Sequence, residues 1–568
     1  MPQRSKLMRR KLFIGVIALA FFTSAACSRQ PEYDVLIVNG RVVDGSGSPG
    51  IRADVAIRGD RIVKVGDLKN ARAHKTIDAT GLVVAPGFID MLGQSEFIGL
   101  VDPRVPSKIH QGITTEITGE GESIAPLNEA LIRIMQPVLN HYALTVDWRT
   151  LGEYFTRFKK QGMAINLGTF IGATQVRAYV LDSENRPPTK EELEEMKTQV
   201  AEGMRQGALG VSTSLIYSPA IYARTDELVA LAKVAAQYGG IYASHIRNEG
   251  DHILEALDEA FQIGREAKIG VEIWHLKVAG QDMWGRMPEV LQKIESARAS
   301  GIDVGADQYP YIAAATNLAA CMPPWAHEGG NEKMIERLKE RKLRERIKKE
   351  LPVRSDKWES EWFDVRGAPG ILISSVFNPK MKAYEGKRLD EIARMRGESD
   401  PMDTLMNLII EDNAQTGAIY FSMSEEDVKA ALKKPWVAVD CDYGASNPAG
   451  ILADEKPHPR AYGTFPRILG KYVREEKTLP IEVAIQKMTS VAARRVGLRD
   501  RGTIREGNFA DLTLFDPVRV MDKATFENPH QFSVGIEYVF VNGQLELEHG
   551  EQNSTRAGRP LLGPGYKQ

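Results

Sequence analysis

Cysteine is almost missing from this chain. The three that occur, Cys27, Cys321 and Cys441, leave no zinc-finger spacing and no disulfide framework. A surplus of charge is missing too. Lys and Arg number 73 against 75 Asp and Glu, a net charge of −2. That balance gives no reason to expect nucleic acid or an acidic membrane surface as partner. Long apolar runs are also scarce. The one that stands out, LFIGVIALAFF near the start, falls short of the roughly 20 residues a comfortable membrane span needs.

Arg9, Arg10 and Lys11 lead into that run and TSAAC follows it, the order of an export signal over residues 1–26. Ser24-Ala25-Ala26-Cys27 also resembles a bacterial lipoprotein signal. In that case Cys27 is lipidated and attaches the exported protein to the envelope membrane. The alternative is ordinary cleavage after Ala26 and a soluble periplasmic protein. Cys321 and Cys441 remain in either case, paired in an oxidising compartment or kept as two buried thiols.

What the chain has is alternation. At 568 residues it suits a large barrel with one or two attachments. YDVLIVNGRVVDG near the start and GIEYVFVNGQLELEHG near the end share one layout, an apolar run, Asn-Gly, and a second apolar run. Each reads as a β-hairpin. We expect the two ends, residues 33–82 and 500–550, to form one small β-sandwich domain.

Between them, strand-like and helix-like segments alternate, as in a parallel (β/α)8 barrel with helices outside. Phe88-Ile89-Asp90, Ile113 to Thr118, Ala208 to Leu215 and Ile302 to Ala306 read as strands. Thr189 with Glu192 forms a capping box ahead of an apolar face at Leu193, Met196, Val200 and Met204. Leu228 to Tyr238 reads as another helix. The barrel is expected over 83–322 and 431–499. The charge run at 330–352 reads as one solvated amphipathic helix, inside an α/β insertion over 323–430 that covers the barrel rim.

The chemistry centres on GGIYASHIRNEGDHILEALDEAFQIGREAKIGVEIWHLKVAG, residues 239–280. His245 and His275 end two strands one βα repeat apart, which places both on the C-terminal rim, where parallel barrels keep their working groups. Neutral imidazole is the commonest protein ligand for zinc, and a hydrolytic zinc needs about three protein ligands and one open position. Glu120, in the loop after Ile113–Thr118, is the candidate third ligand, with Glu122 as the fallback. A separate base is needed to move the proton of an activated water. Asp442, at the end of WVAVDCD, is placed for it, and Asp440 competes because alternation puts both on one strand face. Lys277, Arg460 and Tyr309 together suggest a substrate with a free carboxylate.

VVAPGFID, SHIRNEG, HLKVAGQDMWGR, DQYPY, HPRAYGTFPR, KMTSVAARRVGL, DRGTIREGNFADLTLFDP and GIEYVFVNG carry a resemblance across most of the chain. It resembles the amidohydrolase superfamily and, within it, the D-aminoacylases (N-acyl-D-amino-acid deacylases). The resemblance implies a metal-dependent (β/α)8 barrel that hydrolyses the amide of an N-acyl-D-amino acid. It also implies His245 and His275 as zinc ligands, Asp442 as base, and Lys277, Tyr309 and Arg460 as holders of the substrate carboxylate.

Two departures are visible. Glu120 stands where that family has a bridging Cys. The superfamily's His-x-His after the first strand is replaced by Leu92 and Gln94, which points to one metal ion, Zn2+ or another divalent cation. Another amidase or dipeptidase-like activity, or a non-catalytic binding role, stands as the alternative.

Overall fold

The computed structural model describes residues 31–567. The expected export signal, with Cys27, lies outside the described residues.

Both ends of the chain meet in one β structure. Tyr33–Val38 pairs antiparallel with Asp54–Arg58 and parallel with Ala73–Asp78. A seven-stranded sheet then joins Leu512–Phe515, Ile536–Val541 and Gln544–Glu548 from the far end to Val83–Pro86 and Arg41–Val42 from the near end. Its two faces separate by residue parity. Val84, Leu512 and Leu514 pack into the core of the β domain, while Val83, Ala85 and Phe515 pack against the barrel. Val83–Pro86, placed with the barrel on sequence grounds, therefore belongs to this sheet. An apolar strand buried on both faces carries no alternation to tell sheet from barrel, so the barrel begins at Phe88.

The closing hairpin turns at Asn542-Gly543, both with positive φ (49° and 78°), the two-residue turn whose twist matches its strands. A Cβ on Gly543 would lie 2.1 Å from the Gly59 carbonyl oxygen, so no other residue fits. Asn542 also ties the domain to the barrel. Its Nδ2 donates to Asn166 Oδ1 and to the Ala557 carbonyl, and its Oδ1 accepts from Arg501.

Parallel pairings run through the strands Phe88–Asp90, Ile113–Thr118 and Asn166–Thr169, then through Ile171–Gly172, Gly210–Ser214, Ile241–His245, Val271–Ile273 and Val304–Ala306. The bond from Leu209 N to Thr169 O joins the two groups. Residues 437–443 close the circle. Ala438 and Asp440 donate to Ala306 and Gln308 on one side, and Asp442 donates to Leu92 on the other. Helices Lys190–Arg205, Thr225–Gln237, Ile253–Ala267 and Met287–Ala299 run between strands and bury one face each. The capping box at Thr189 and Glu192 is formed.

The insertion begins earlier than residue 323, because Ala314–Asn317 pairs with Gly417–Tyr420, which also pairs with Ile371–Ser375. Its own core gathers Met334, Leu338, Ile347, Ile373, Leu405 and Tyr420. The charge run is two helices, Gly330–Lys339 and Arg341–Glu350, with Glu340 extended between them. The break turns Met334, Leu338 and Ile347 onto that one core. Cys321 and Cys441 are free buried thiols in separate cores.

Replacing Asn542 by Ala removes its hydrogen bonds with Arg501, Asn166 and the Ala557 carbonyl and puts a Cβ residue without side-chain compensation at φ 49°. Urea denaturation should show a loss of about 2–4 kcal/mol. A change below about 0.5 kcal/mol would mean that this clamp does not hold the β domain to the barrel.

Candidate metal and substrate site

Glu120 follows its strand in a Gly-Glu-Gly turn that only glycines permit. Gly119 and Gly121 have φ of 92° and 65°, and a Cβ on Gly121 would fall 2.4 Å from Ser214 Oγ. Ser212 Oγ accepts from the Gly121 N–H, and Ser214 Oγ donates to the Glu120 carbonyl. The loop is thus pinned to a neighbouring strand and the carboxylate is aimed inward. The fallback, Glu122, stays exposed.

His245 is the last residue of its strand, opposite Ser214. His275 lies two residues beyond Val271–Ile273 with φ 37°, and its N–H donates to Asp307 Oδ1 at 2.5 Å. The two rings stand edge to face, centroids 4.5 Å apart. Glu120 Oε1 lies 3.0 Å from His245 Nδ1 and 3.1 Å from His275 Nε2. One ligand atom from each of the three falls within 4.8 Å of the others. Two imidazoles and a carboxylate this close, nearly enclosed, fit a divalent cation.

The electrostatics agree with that fit. Burial alone would raise the Glu120 carboxyl, but the hydrogen bonds from His245 and His275 hold it well below its ordinary range. Burial and Lys277 would lower His275, yet Glu249, Asp442 and Glu120 push it up to about 10.

Asp442 and Arg460 form the other wall. Asp442 Oδ2 lies 2.9 Å from Arg460 NH2, and its Oδ1 accepts from Gln94 Nε2 at 3.2 Å. The same Gln94 amide donates to Glu120 Oε2 at 3.2 Å. Burial raises the Asp442 carboxyl despite Arg460 and His275, which suits a group that must take up a proton. Asp440 is fully buried near Asp307, its carboxyl pushed far up by burial and by Asp442. The structure separates two aspartates that alternation left equal.

Arg460 opens the helix Arg460–Arg467 and is 1% exposed. Its guanidinium lies 4.3 Å from the Tyr309 ring centre. Arg460 Nε and NH1 and the Tyr309 hydroxyl are buried without a hydrogen-bond partner. Such groups are costly unless a ligand meets them.

Lys277 is engaged already. Its Nζ lies 2.7 and 2.8 Å from the Glu249 oxygens and 2.7 Å from His275 Nδ1. Glu249 was missed in the sequence, although it stands four residues after His245 in SHIRNEG. Burial would raise its carboxyl, but His245, Lys277 and His275 draw it well down. The insertion reaches the site here, because Glu359 Oε2 accepts from the Glu249 N–H at 2.6 Å. It reaches it again where the Ala315 carbonyl accepts from Arg460 NH2.

Comparison with known proteins agrees with this geometry. A model of the amidohydrolase family matches residues 450–545. A D-aminoacylase of Alcaligenes xylosoxydans xylosoxydans is 37% identical over 535 residues, covering 94% of this chain and 98% of that protein. Among solved structures, an N-acyl-D-glutamate deacylase from Bordetella bronchiseptica, complexed with zinc and a phosphonate inhibitor, aligns at TM-score 0.78. It is 31% identical and covers 93% of this chain and 99% of that one. A D-aminoacylase described as having a binuclear metal centre, with one-metal activation and second-metal attenuation, aligns at TM-score 0.76. It is 34% identical over 93% of this chain and 100% of that one. Identity and coverage of this extent show that this chain belongs to the D-aminoacylase family of amidohydrolases.

Proposed function

We propose that the protein hydrolyses the amide of N-acyl-D-amino acids, releasing a carboxylic acid and a free D-amino acid. The observation that carries this reading is the set of buried, unpartnered donors on Arg460 and Tyr309 beside Asp442, within reach of the Glu120, His245 and His275 cluster. A substrate carboxylate satisfies those donors, and its amide then lies toward the cluster. Glu120, His245 and His275 would hold a zinc ion, which when bound lowers the pKa of water and polarises a carbonyl. Asp442 takes the proton from the attacking water and delivers it to the leaving amine. Arg460 keeps Asp442 oriented while binding the carboxylate. A dipeptidase-like or purely binding role is not favoured.

We read the site as holding one ion. The Gln94 amide donates to Glu120 Oε2 and Asp442 Oδ1, so it offers no free ligand for a second ion. Leu92 is fully buried in the core and offers no ligand. We also carry forward export through residues 1–26, with lipidation at Cys27.

A panel of N-acetyl amino acids should release amine from D substrates only. Asp442→Asn should lower kcat by about 10²–10⁴-fold with metal still bound, and equal turnover of L substrates would sink the reading. Metal analysis should give one zinc per chain. Because burial and Lys277 are outweighed by Glu249, Asp442 and Glu120, which raise His275 above its ordinary range, zinc binding there must displace a proton. Apparent affinity should therefore weaken about tenfold per pH unit lost, with calorimetry in different buffers showing about one proton released. A second zinc, or pH-independent binding, would contradict this arrangement. Fractionation of producing cells should place the mature protein in the envelope with label from palmitate, and a cytoplasmic, unlabelled product would rule export out.

A further inference from the structure

The nitrogens turned away from Glu120 also face a carboxylate. His275 Nδ1 lies 3.0 Å from Glu249 Oε1, and His245 Nε2 lies 3.5 Å from Glu249 Oε2. Two imidazoles thus stand between two carboxylates, Glu120 in front and Glu249 behind. Glu249 is 6% exposed. Its backbone is fixed at both ends, the N–H by Glu359 and the carbonyl by Ala279 N. Lys277 grips both its oxygens.

We propose that Glu249 is a positioning residue with two tasks, setting His275 for the metal and setting Lys277 for the substrate carboxylate. The inference rests on the deacylase reading above. An imidazole that binds a cation through one nitrogen must carry its proton on the other, and an acceptor there fixes tautomer and ring orientation. Glu249 offers that acceptor to His275 Nδ1 at 3.0 Å, beside Lys277 Nζ at 2.7 Å. His245 Nε2 lies 3.5 Å from Glu249 Oε2 without a hydrogen-bond partner. Glu249 also holds Lys277 in place, so metal affinity and carboxylate recognition share one anionic anchor.

That double role has a signature that simple packing would not give. Zinc affinity, measured by competition with a chromophoric chelator, should fall about 10–100-fold in Glu249→Gln. The visible spectrum of the cobalt-substituted protein should shift, and KM should rise. Lys277→Met should raise KM without reproducing the roughly 10–100-fold loss of zinc affinity expected of Glu249→Gln. Glu249→Asp, which keeps the charge, should recover part of the affinity and decides the matter if the Gln variant does not fold. Wild-type zinc affinity and an unshifted cobalt spectrum in either soluble Glu249 variant would overturn the proposal. If the unmodified protein takes up no zinc at all, the deacylase reading fails instead.

Discussion

The site depends on one constraint, that carboxylates buried together need positive charge between them. Glu120 and Glu249 enclose His245 and His275 from opposite sides. Each carboxylate is held ionised by the same two rings. In a low-dielectric rim such an arrangement is stable only while protons or a cation occupy the middle. The groups gathered at the barrel rim therefore suit a small divalent ion.

Placing these groups requires backbone that regular strands cannot provide. His275 and Asp442 both have left-handed φ, 37° and 45°; His275 lies just past a strand end and Asp442 in the 437–443 segment that closes the barrel. Such conformations cost on the order of 1–3 kcal/mol each and persist because neighbours over-determine them. For His275 the neighbour is Asp307, which accepts from its N–H. For Asp442 it is the Leu92 carbonyl, reached by its own N–H across the barrel closure. Each kink turns a side chain out of the strand's alternation and onto the common cavity, which is how Asp442 parts from Asp440.

Much of this was legible in the sequence because periodicity reports burial. Histidines ending two apolar runs marked a shared rim, and a glutamate in the loop after another strand stood as the candidate third ligand. The resemblance added roles that spacing alone does not assign. What escaped has physical reasons. Val83–Pro86 is buried on both faces, so its apolar run does not say which sheet it joins. The break at Glu340 depends on where the insertion's core lies, a tertiary fact. Glu249 reads as one more polar residue in a loop, because what it does is set by Lys277 and His275 on a different strand. Asp440 and Asp442 differ only in backbone turn, which residue type does not record.

Charge balance links the lost histidines to the substrate. At the rim, Glu120, Glu249 and Asp442 face the fixed cations Lys277 and Arg460, leaving an excess of one negative charge when all three carboxylates are ionised. One divalent ion turns that excess into a single positive charge, and a substrate with one carboxylate restores neutrality. A second divalent ion would leave the loaded site strongly positive. Gln94, a neutral amide donating to both Glu120 and Asp442, bridges the two carboxylates without adding charge. The Gln94 amide therefore suits the proposed arrangement of one metal and one anionic substrate.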